Sequence, residues 1–252
     1  MDIEKIKKNL QTRLFGKKIN FEPSVDSTNE WAFRAKGQRG EVFLADFQSA
    51  GKGRLSRPWE SPAGKNILLS LVDTSPGPSE KFYPLSLVAG VAFLEGLKKI
   101  APQTDFKLKW PNDILINGKK LGGILAEVRG LKTVIGVGIN VNTNPDDFSQ
   151  TVAPLATSLK IATSRDWKRE EIIATCLNAY EAWREKFKKM GIKPVIEAWN
   201  QNNDLIGKKV TVENGKTTFK GTVEGLDEEG FLIVASEGKR EIVISGDVSL
   251  CS

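Results

Sequence analysis

Residues 134–141 read Val-Ile-Gly-Val-Gly-Ile-Asn-Val, and no other stretch constrains the fold as tightly. Side chains alternate across a strand, so Ile135, Val137, Ile139 and Val141 form one apolar face. The opposite face carries Gly136, Gly138 and Asn140, two missing side chains and then an amide. Glycine weakens a strand interior, so two in alternation require something to approach the backbone closely. Either a helix packs on them or a ligand lies flat on the bare backbone, and the amide at the end favours the ligand.

Neighbouring runs supply a sheet around this strand. Residues 67–72, Ile-Leu-Leu-Ser-Leu-Val, are apolar on both faces and predict a central strand. Residues 42–48 predict a buried strand that ends at Gln48, whose amide can both donate and accept. Between the two lies a basic loop. Gly51 and Gly53 make its backbone permissive and leave N–H groups open, while Lys52, Arg54, Arg57 and Lys65 crowd positive charge into it. Trp59 adds a flat face for stacking. These features suit a loop that closes over a phosphate and its base; a solvated basic loop is the plain alternative. The Walker A pattern Gly-x-x-x-x-Gly-Lys-[Ser/Thr] is absent. Like charges with little to bury predict a loop that is mobile when empty.

Residues 1–18 read as one short amphipathic helix with Ile3, Ile6 and Leu10 on one side, too few residues for a helix-turn-helix unit. A second helix opens at residues 26–30 and carries Trp31 and Phe33; Ser27 and Glu30 match a capping box. The same N-terminus would present N–H groups and the Ser27, Thr28 and Asn29 side chains to a polar ligand. A Pro/Ser/Gly loop is expected at 75–79, then a helix from Pro84 through Leu97. In residues 106–127, Asn117-Gly118 marks a two-residue hairpin turn, which puts Lys120 opposite Leu115 and diagonal to Asp113. Pro111 fixes the approach to Asn112. The Lys120–Asp113 pair is either a surface ion pair or a held cation.

From Asp166 a capped helix carries a core stripe through Ile172, Ile173, Cys176, Leu177, Tyr180, Trp183 and Phe187, and Pro194 starts another through Trp199. After Asn203 come short strands at 208–213, 217–223, 231–234 and 241–244, a small β-module compatible with an SH3-like barrel. The expected division is a domain at 1–203 and a smaller one at 204–252, in the α+β class.

The chain has 252 residues and a net charge of +6, which favours an anionic substrate without requiring nucleic acid. Two cysteines, Cys176 and Cys251, give no disulfide framework. No signal core is present and no apolar run nears the ~20 residues of a membrane span, so a soluble cytoplasmic protein is expected. Histidine is absent, which removes Ser–His and Cys–His nucleophiles and His-ligated zinc. Chemistry must run on lysine, arginine, carboxylates, amides and a metal brought by the substrate.

Taken together, Ser27-Thr28-Asn29, Gln48, the Gly51-Lys52-Gly53-Arg54…Arg57…Trp59 loop, Lys109-Trp110-Pro111-Asn112-Asp113, Lys120 and Gly136-Val137-Gly138-Ile139-Asn140 resemble the biotin–protein ligases (biotin–[acetyl-CoA-carboxylase] ligases). Five motifs in order span nearly the whole chain. One departure is Lys52, where the family usually has arginine; lysine keeps the charge but loses the planar fork. The resemblance implies a mixed sheet like that of class II aminoacyl-tRNA synthetases plus an SH3-like C-terminal domain. It implies ATP, biotin and Mg²⁺ as substrates and metal, biotinyl-5′-AMP as intermediate, and a lysine of a biotin carboxyl carrier protein as acceptor. It further implies that Lys120 and Arg54 are catalytic and that Ser27, Thr28, Asn29 and Gln48 bind the biotin head. Lys52, Gly53 and Arg54 would close over biotin and the adenylate phosphate, and Gly136 and Gly138 would form the floor. Arg57 would meet ATP phosphates, Trp59 would stack on adenine, and Asn112 and Asn140 would position the nucleotide. DNA and membrane binding are not expected, and an exposed sheet edge leaves a homodimer open. A lipoate–protein ligase shares the fold, but its Arg-Arg-x-Ser-Gly-Gly-Gly…His signature is missing. A non-catalytic RNA- or ribosome-binding protein would need a broad basic, aromatic stripe, whereas the charge here is dispersed.

Overall fold

The computed structural model describes residues 1–74, 83–215 and 217–251. Its first elements are α1 (Ile3–Asn9), β1 (Ile19–Val25), α2 (Thr28–Arg34), β2 (Val42–Gln48), β3 (Ile67–Thr74) and α3 (Tyr83–Ile100). A meander follows: β4 (Phe106–Lys109), β5 (Asp113–Ile116), β6 (Lys119–Arg129) and β7 (Lys132–Ile139). Next come α4 (Leu159–Thr163), α5 (Arg169–Met190) and α6 (Lys193–Asn202), then β8 (Lys209–Asn214), β9 (Thr217–Leu226), β10 (Leu232–Ser236), β11 (Lys239–Val243) and β12 (Asp247–Leu250). β1 to β7 form a seven-stranded mixed sheet in the order β1-β2-β3-β7-β6-β5-β4, in which only β1 and β2 run parallel. β8 to β12 form a separate antiparallel sheet in the order β11-β10-β9-β8-β12. The α+β class and the central place of β3 are as expected.

Strand parity divides the large sheet into two unequal faces. Leu69 and Leu71 of β3 and Ile135, Val137 and Ile139 of β7 join the main core with α3 and α5. The opposite face has only a small cluster of Phe43, Val72, Val134 and Ala32, closed by Trp31 and Phe33 of α2. Apolar cover is therefore thick on one side and short on the other, and the short side leaves room for a cleft.

Several boundaries differ from the sequence expectation. The first helix stops at Asn9 rather than running to residue 18, because the Glu181 carboxylate accepts the backbone N–H groups of Arg13, Leu14 and Phe15 and holds them out of a helix. β1 was not anticipated: it is a half-exposed strand without clear alternation. The long helix begins at Arg169, not Asp166, whose carboxylate pairs instead with Lys160. A fifth C-terminal strand, β12, follows the four expected ones. The loop expected at 75–79 lies outside the described residues. At Asn117 and Gly118 both φ values are positive, 50° and 75°, as the hairpin turn requires.

At the end of β3, Asp73 is fully buried and accepts from Arg184 Nε at 2.7 Å, Arg39 Nε at 3.0 Å and the Tyr180 hydroxyl at 2.9 Å. Burial, and then the neighbouring carboxylate, push the Tyr180 hydroxyl well above its usual pKa, which keeps it a donor. Arg184 is also buried. Asp73→Ala would leave that guanidinium uncompensated, and we expect a loss of about 3–5 kcal/mol of unfolding free energy. Chemical denaturation measures it; an unchanged midpoint would refute the role.

Candidate functional site

The cleft opens on the thinly covered face of the large sheet, and its floor is set by register. Gly123 of β6 and Gly138 of β7 are cross-strand partners, so two adjacent strands expose backbone at one spot. The Trp59 indole lies on that spot: a Cβ at Gly138 would come within 2.5 Å of Trp59 Cε2, and one at Gly123 within 3.4 Å of its Cζ3. Gly136 serves a different neighbour, since its Cβ would meet Asn29 Oδ1 of α2 at 2.5 Å. The two glycines thus admit a loop aromatic and a helix amide. Gly136 is thus approached by a helix, the packing alternative raised by the sequence, and Gly138 by the aromatic of the basic loop.

One wall comes from the start of α2 and the end of β2. Ser27 occupies the N-cap position, yet its side chain makes no capping bond, so the capping-box reading fails. Glu30 is drawn away by Arg129 at 2.7 Å and Lys52 at 3.7 Å; the Arg129 guanidinium holds its carboxyl below the usual carboxylate range. In place of a cap, Gln48 Oε1 accepts from Thr28 N at 2.7 Å and Thr28 Oγ1 at 2.9 Å. Asn29 Nδ2 donates to Glu127 Oε2 at 2.7 Å, and Ser70 Oγ lies 2.5 Å from Asn29 Oδ1. Ser70 and Glu127 were missed from sequence. Ser70 was visible as the one polar residue in the run 67–72; Glu127 gave no signal beyond a charge late in a strand.

Lys120 projects from a β-bulge. Leu115 pairs with Lys120 while Ile114 pairs with Gly122, so Leu121 is the extra residue. The bulge frees the Lys120 peptide groups, which bond to Leu155 O at 2.8 Å and Thr157 N at 2.9 Å. Residues after β7 thereby clip the lysine in place. Its Nζ lies 2.7 Å from Asp113 Oδ1, the diagonal contact the hairpin predicted, and 5.8 Å from the Trp59 ring centroid.

The basic loop is a small hairpin closed by Trp59 N to Gly51 O at 2.9 Å and Gly53 N to Arg57 O at 2.7 Å. The Gly53 N–H is therefore committed rather than open to a ligand. Nor are the cations unmatched: Arg57 pairs with Asp247, Arg54 Nη1 donates to Gly246 O at 3.3 Å, Lys52 faces Glu30, and Lys65 pairs with Asp147 at 2.6 Å. This corrects the premise of unrelieved repulsion on which the expected mobility rested. Gly246 and Asp247 belong to the C-terminal sheet and its approach, and no local motif announced them. Asn112 Nδ2 donates to Ile124 O at 2.8 Å. Asn140 accepts from Asn66 at 3.3 Å and donates to Thr157 O at 3.1 Å, so both ends of its amide hold the wall.

Every residue given a catalytic or binding role from sequence lines this one cleft of about 670 Å³, while Gly51 and Lys65 of the basic loop lie outside its lining. Hydrogen-bonding amides and hydroxyls lie at one end, a lysine–carboxylate pair sits centrally, and arginines with an indole cover the approach. Such an arrangement can orient a polar uncharged ring and neutralise anionic charge beside it.

Comparison with known proteins points one way. Residues 21–144 match the biotin/lipoate A/B protein ligase family, and residues 205–251 match the biotin protein ligase C terminal domain. The bifunctional ligase/repressor BirA of Bacillus subtilis is 34% identical over 254 residues, covering 97% of this chain and 78% of its own. The biotin–[acetyl-CoA-carboxylase] ligase of Paracoccus denitrificans is 32% identical, covering 89% of this chain and 97% of its own. Among solved structures, a biotin protein ligase from Aquifex aeolicus in complex with biotin and ATP superposes with a TM-score of 0.85 at 31% identity, covering 93% of this chain and 99% of that one.

Gly136→Ala places a methyl group 2.5 Å from the Asn29 amide oxygen. Overpacking there should cost about 1–3 kcal/mol of stability. A urea midpoint equal to that of the native chain would show that Asn29 yields freely and that the close approach is unimportant.

Proposed function

The chain belongs to the biotin protein ligases of the biotin/lipoate A/B protein ligase family, and we propose that it activates biotin with ATP and transfers it to a carrier-protein lysine. In the first step a biotin carboxylate oxygen attacks the α-phosphorus of ATP, the bond to the β-phosphate breaks, and pyrophosphate leaves. In the second, the carrier lysine amine attacks the acyl carbon of biotinyl-5′-AMP, loses a proton, and releases AMP. The relatives named for acetyl-CoA carboxylase support a biotin carboxyl carrier protein as acceptor.

The observation that carries the reading is Lys120 Nζ, held at 2.7 Å from Asp113 between the polar wall and the arginine loop. Two anions, a carboxylate and a triphosphate, must meet in the first step. A fixed cation between them acts where charge develops, and it does so without a histidine base. Thr28 and Gln48 orient the biotin head. Arg54 and Arg57 exchange their contacts with Gly246 and Asp247 for phosphate oxygens, and the outer face of Trp59 receives adenine. Asn112 and Asn140 hold the strands against which the nucleotide lies. Mg²⁺ bound to ATP would add charge neutralisation to that of Lys120, Arg54 and Arg57. Residues 1–203 serve as the catalytic unit, and residues 204–252 close the cleft through Asp247.

The test is pyrophosphate release from MgATP with biotin or lipoate as the acid and no carrier present. Release with biotin is expected; release with lipoate alone would overturn the substrate. Lys120→Ala should lower biotin-dependent release at least ~10²-fold with the fold intact. Near-normal release by that variant would remove Lys120 from the role.

A further inference from the structure

Asn66, the last residue before β3, is a buried amide with no part yet in the reaction. It is 1% exposed and lies outside the lining of the cleft. Its Oδ1 accepts from Val141 N at 2.9 Å and from Thr143 Oγ1 at 2.7 Å. A backbone N–H can only donate, so the group facing Val141 must be the amide oxygen. Nδ2 is thereby turned the other way, where it donates to Ser61 Oγ at 3.1 Å and to Asn140 Oδ1 at 3.3 Å. Arg169 Nη1 donates to the Asn66 peptide oxygen at 3.0 Å, which holds the backbone as well.

This direction sets the next one. Asn140, just past the end of β7, is buried and lines the cleft. With its Oδ1 facing the Asn66 N–H, its Nδ2 faces Thr157 O and donates to it at 3.1 Å. Thr157 N in turn donates to Lys120 O at 2.9 Å, beside the 2.8 Å bond from Lys120 N to Leu155 O. A directed series of hydrogen bonds therefore runs from Asn66 through Asn140 and Thr157 to the Lys120 peptide. Every donor in it is an amide N–H, so turning a hydroxyl cannot reverse it. Turning over the Asn140 amide alone would set oxygen against oxygen at Thr157 and N–H against N–H at Asn66.

We infer that Asn66 is a positioning residue for adenylate formation: it fixes which way the Asn140 amide faces the nucleotide and, through Thr157, steadies the peptide that carries Lys120. The inference rests on the ligase reading and deepens it. Asn66→Asp isolates the role. Its carboxylate still accepts from Val141 and Thr143 but has no N–H for Asn140. The Asn140 amide then turns its Nδ2 toward the carboxylate and its oxygen against Thr157 O, which parts the series at its centre.

The experiment is steady-state pyrophosphate release by the full chain, with MgATP and biotin varied in turn. Asn66→Asp should lower kcat/KM for ATP about tenfold, through a higher KM for ATP and a lower kcat, and leave KM for biotin unchanged. In an Asn140→Ala background the same substitution should add nothing, because its effect passes through that amide. Asn66→Ala is the second variant should the buried charge prevent folding, and it should show the same split and the same lack of additivity. Unchanged kcat and KM for ATP in the folded variant overturn the inference. Equal rises in KM for ATP and biotin, or losses that multiply in the double variant, also overturn it, because they report general loosening. A native chain that releases no pyrophosphate with biotin overturns the functional reading and this inference with it; the other adverse outcomes leave the functional reading standing.

Discussion

The register between β6 and β7 is the constraint on which the site depends. It pairs Gly123 with Gly138 and Leu125 with Gly136, so the indole of Trp59 and the amide of Asn29 each find a gap where they cross the sheet. A slip of one residue would turn Val137 and Ile139 outward and bring the glycines into the main core. That slip is opposed by the apolar face itself, since Ile135, Val137 and Ile139 are buried against α3 and α5. The force that makes the core therefore also positions the cleft, and the two cannot be varied independently.

Charge in the cleft follows a second logic. Each loop cation is matched by a carboxylate or carbonyl from another part of the chain: Glu30 from α2, Asp147 from the segment after β7, Asp247 from the C-terminal sheet. These pairs are mostly exposed, and such pairs contribute only ~0–1 kcal/mol each. They order the loop without binding it tightly, so a polyanion can displace them at small cost. Lys120 differs. Its backbone is clipped by residues 155–157 and its ammonium by Asp113, so it stays in place whatever the loop does.

Much of this was legible in the residues. Alternating glycines marked the floor, Asn117-Gly118 set the hairpin, and the hairpin set Lys120 beside Asp113. Local signals of this kind survive because one or two residues determine the backbone. What stayed hidden was what needed the third dimension. Asp247 lies far along the chain from Arg57 and meets it only when the second sheet docks; nothing near either residue records the other. The bulge at Leu121 could not be read because the apolar pattern stays intact across the extra residue. Ser27 and Glu30 matched a helix cap, yet Arg129 takes the Glu30 carboxylate and Gln48 takes the free N–H of Thr28. Local pattern loses there to charge-assisted contacts supplied by distant strands.

The absence of histidine draws these strands together. Histidine is the side chain whose ordinary titration falls near neutrality, and a site built on it changes charge with modest shifts in pH. This cleft instead uses cations that need no proton exchange to act, together with neutral amides and hydroxyls whose direction is set by their neighbours. Orientation then carries what proton transfer carries elsewhere. The amide of Asn29 can face only one way, Gln48 is turned by a backbone N–H, and Lys120 is held by a carboxylate on the adjacent strand. A site of this kind must be organised before the ligand arrives, which is why so many of its polar groups are already committed to one another on a rigid sheet.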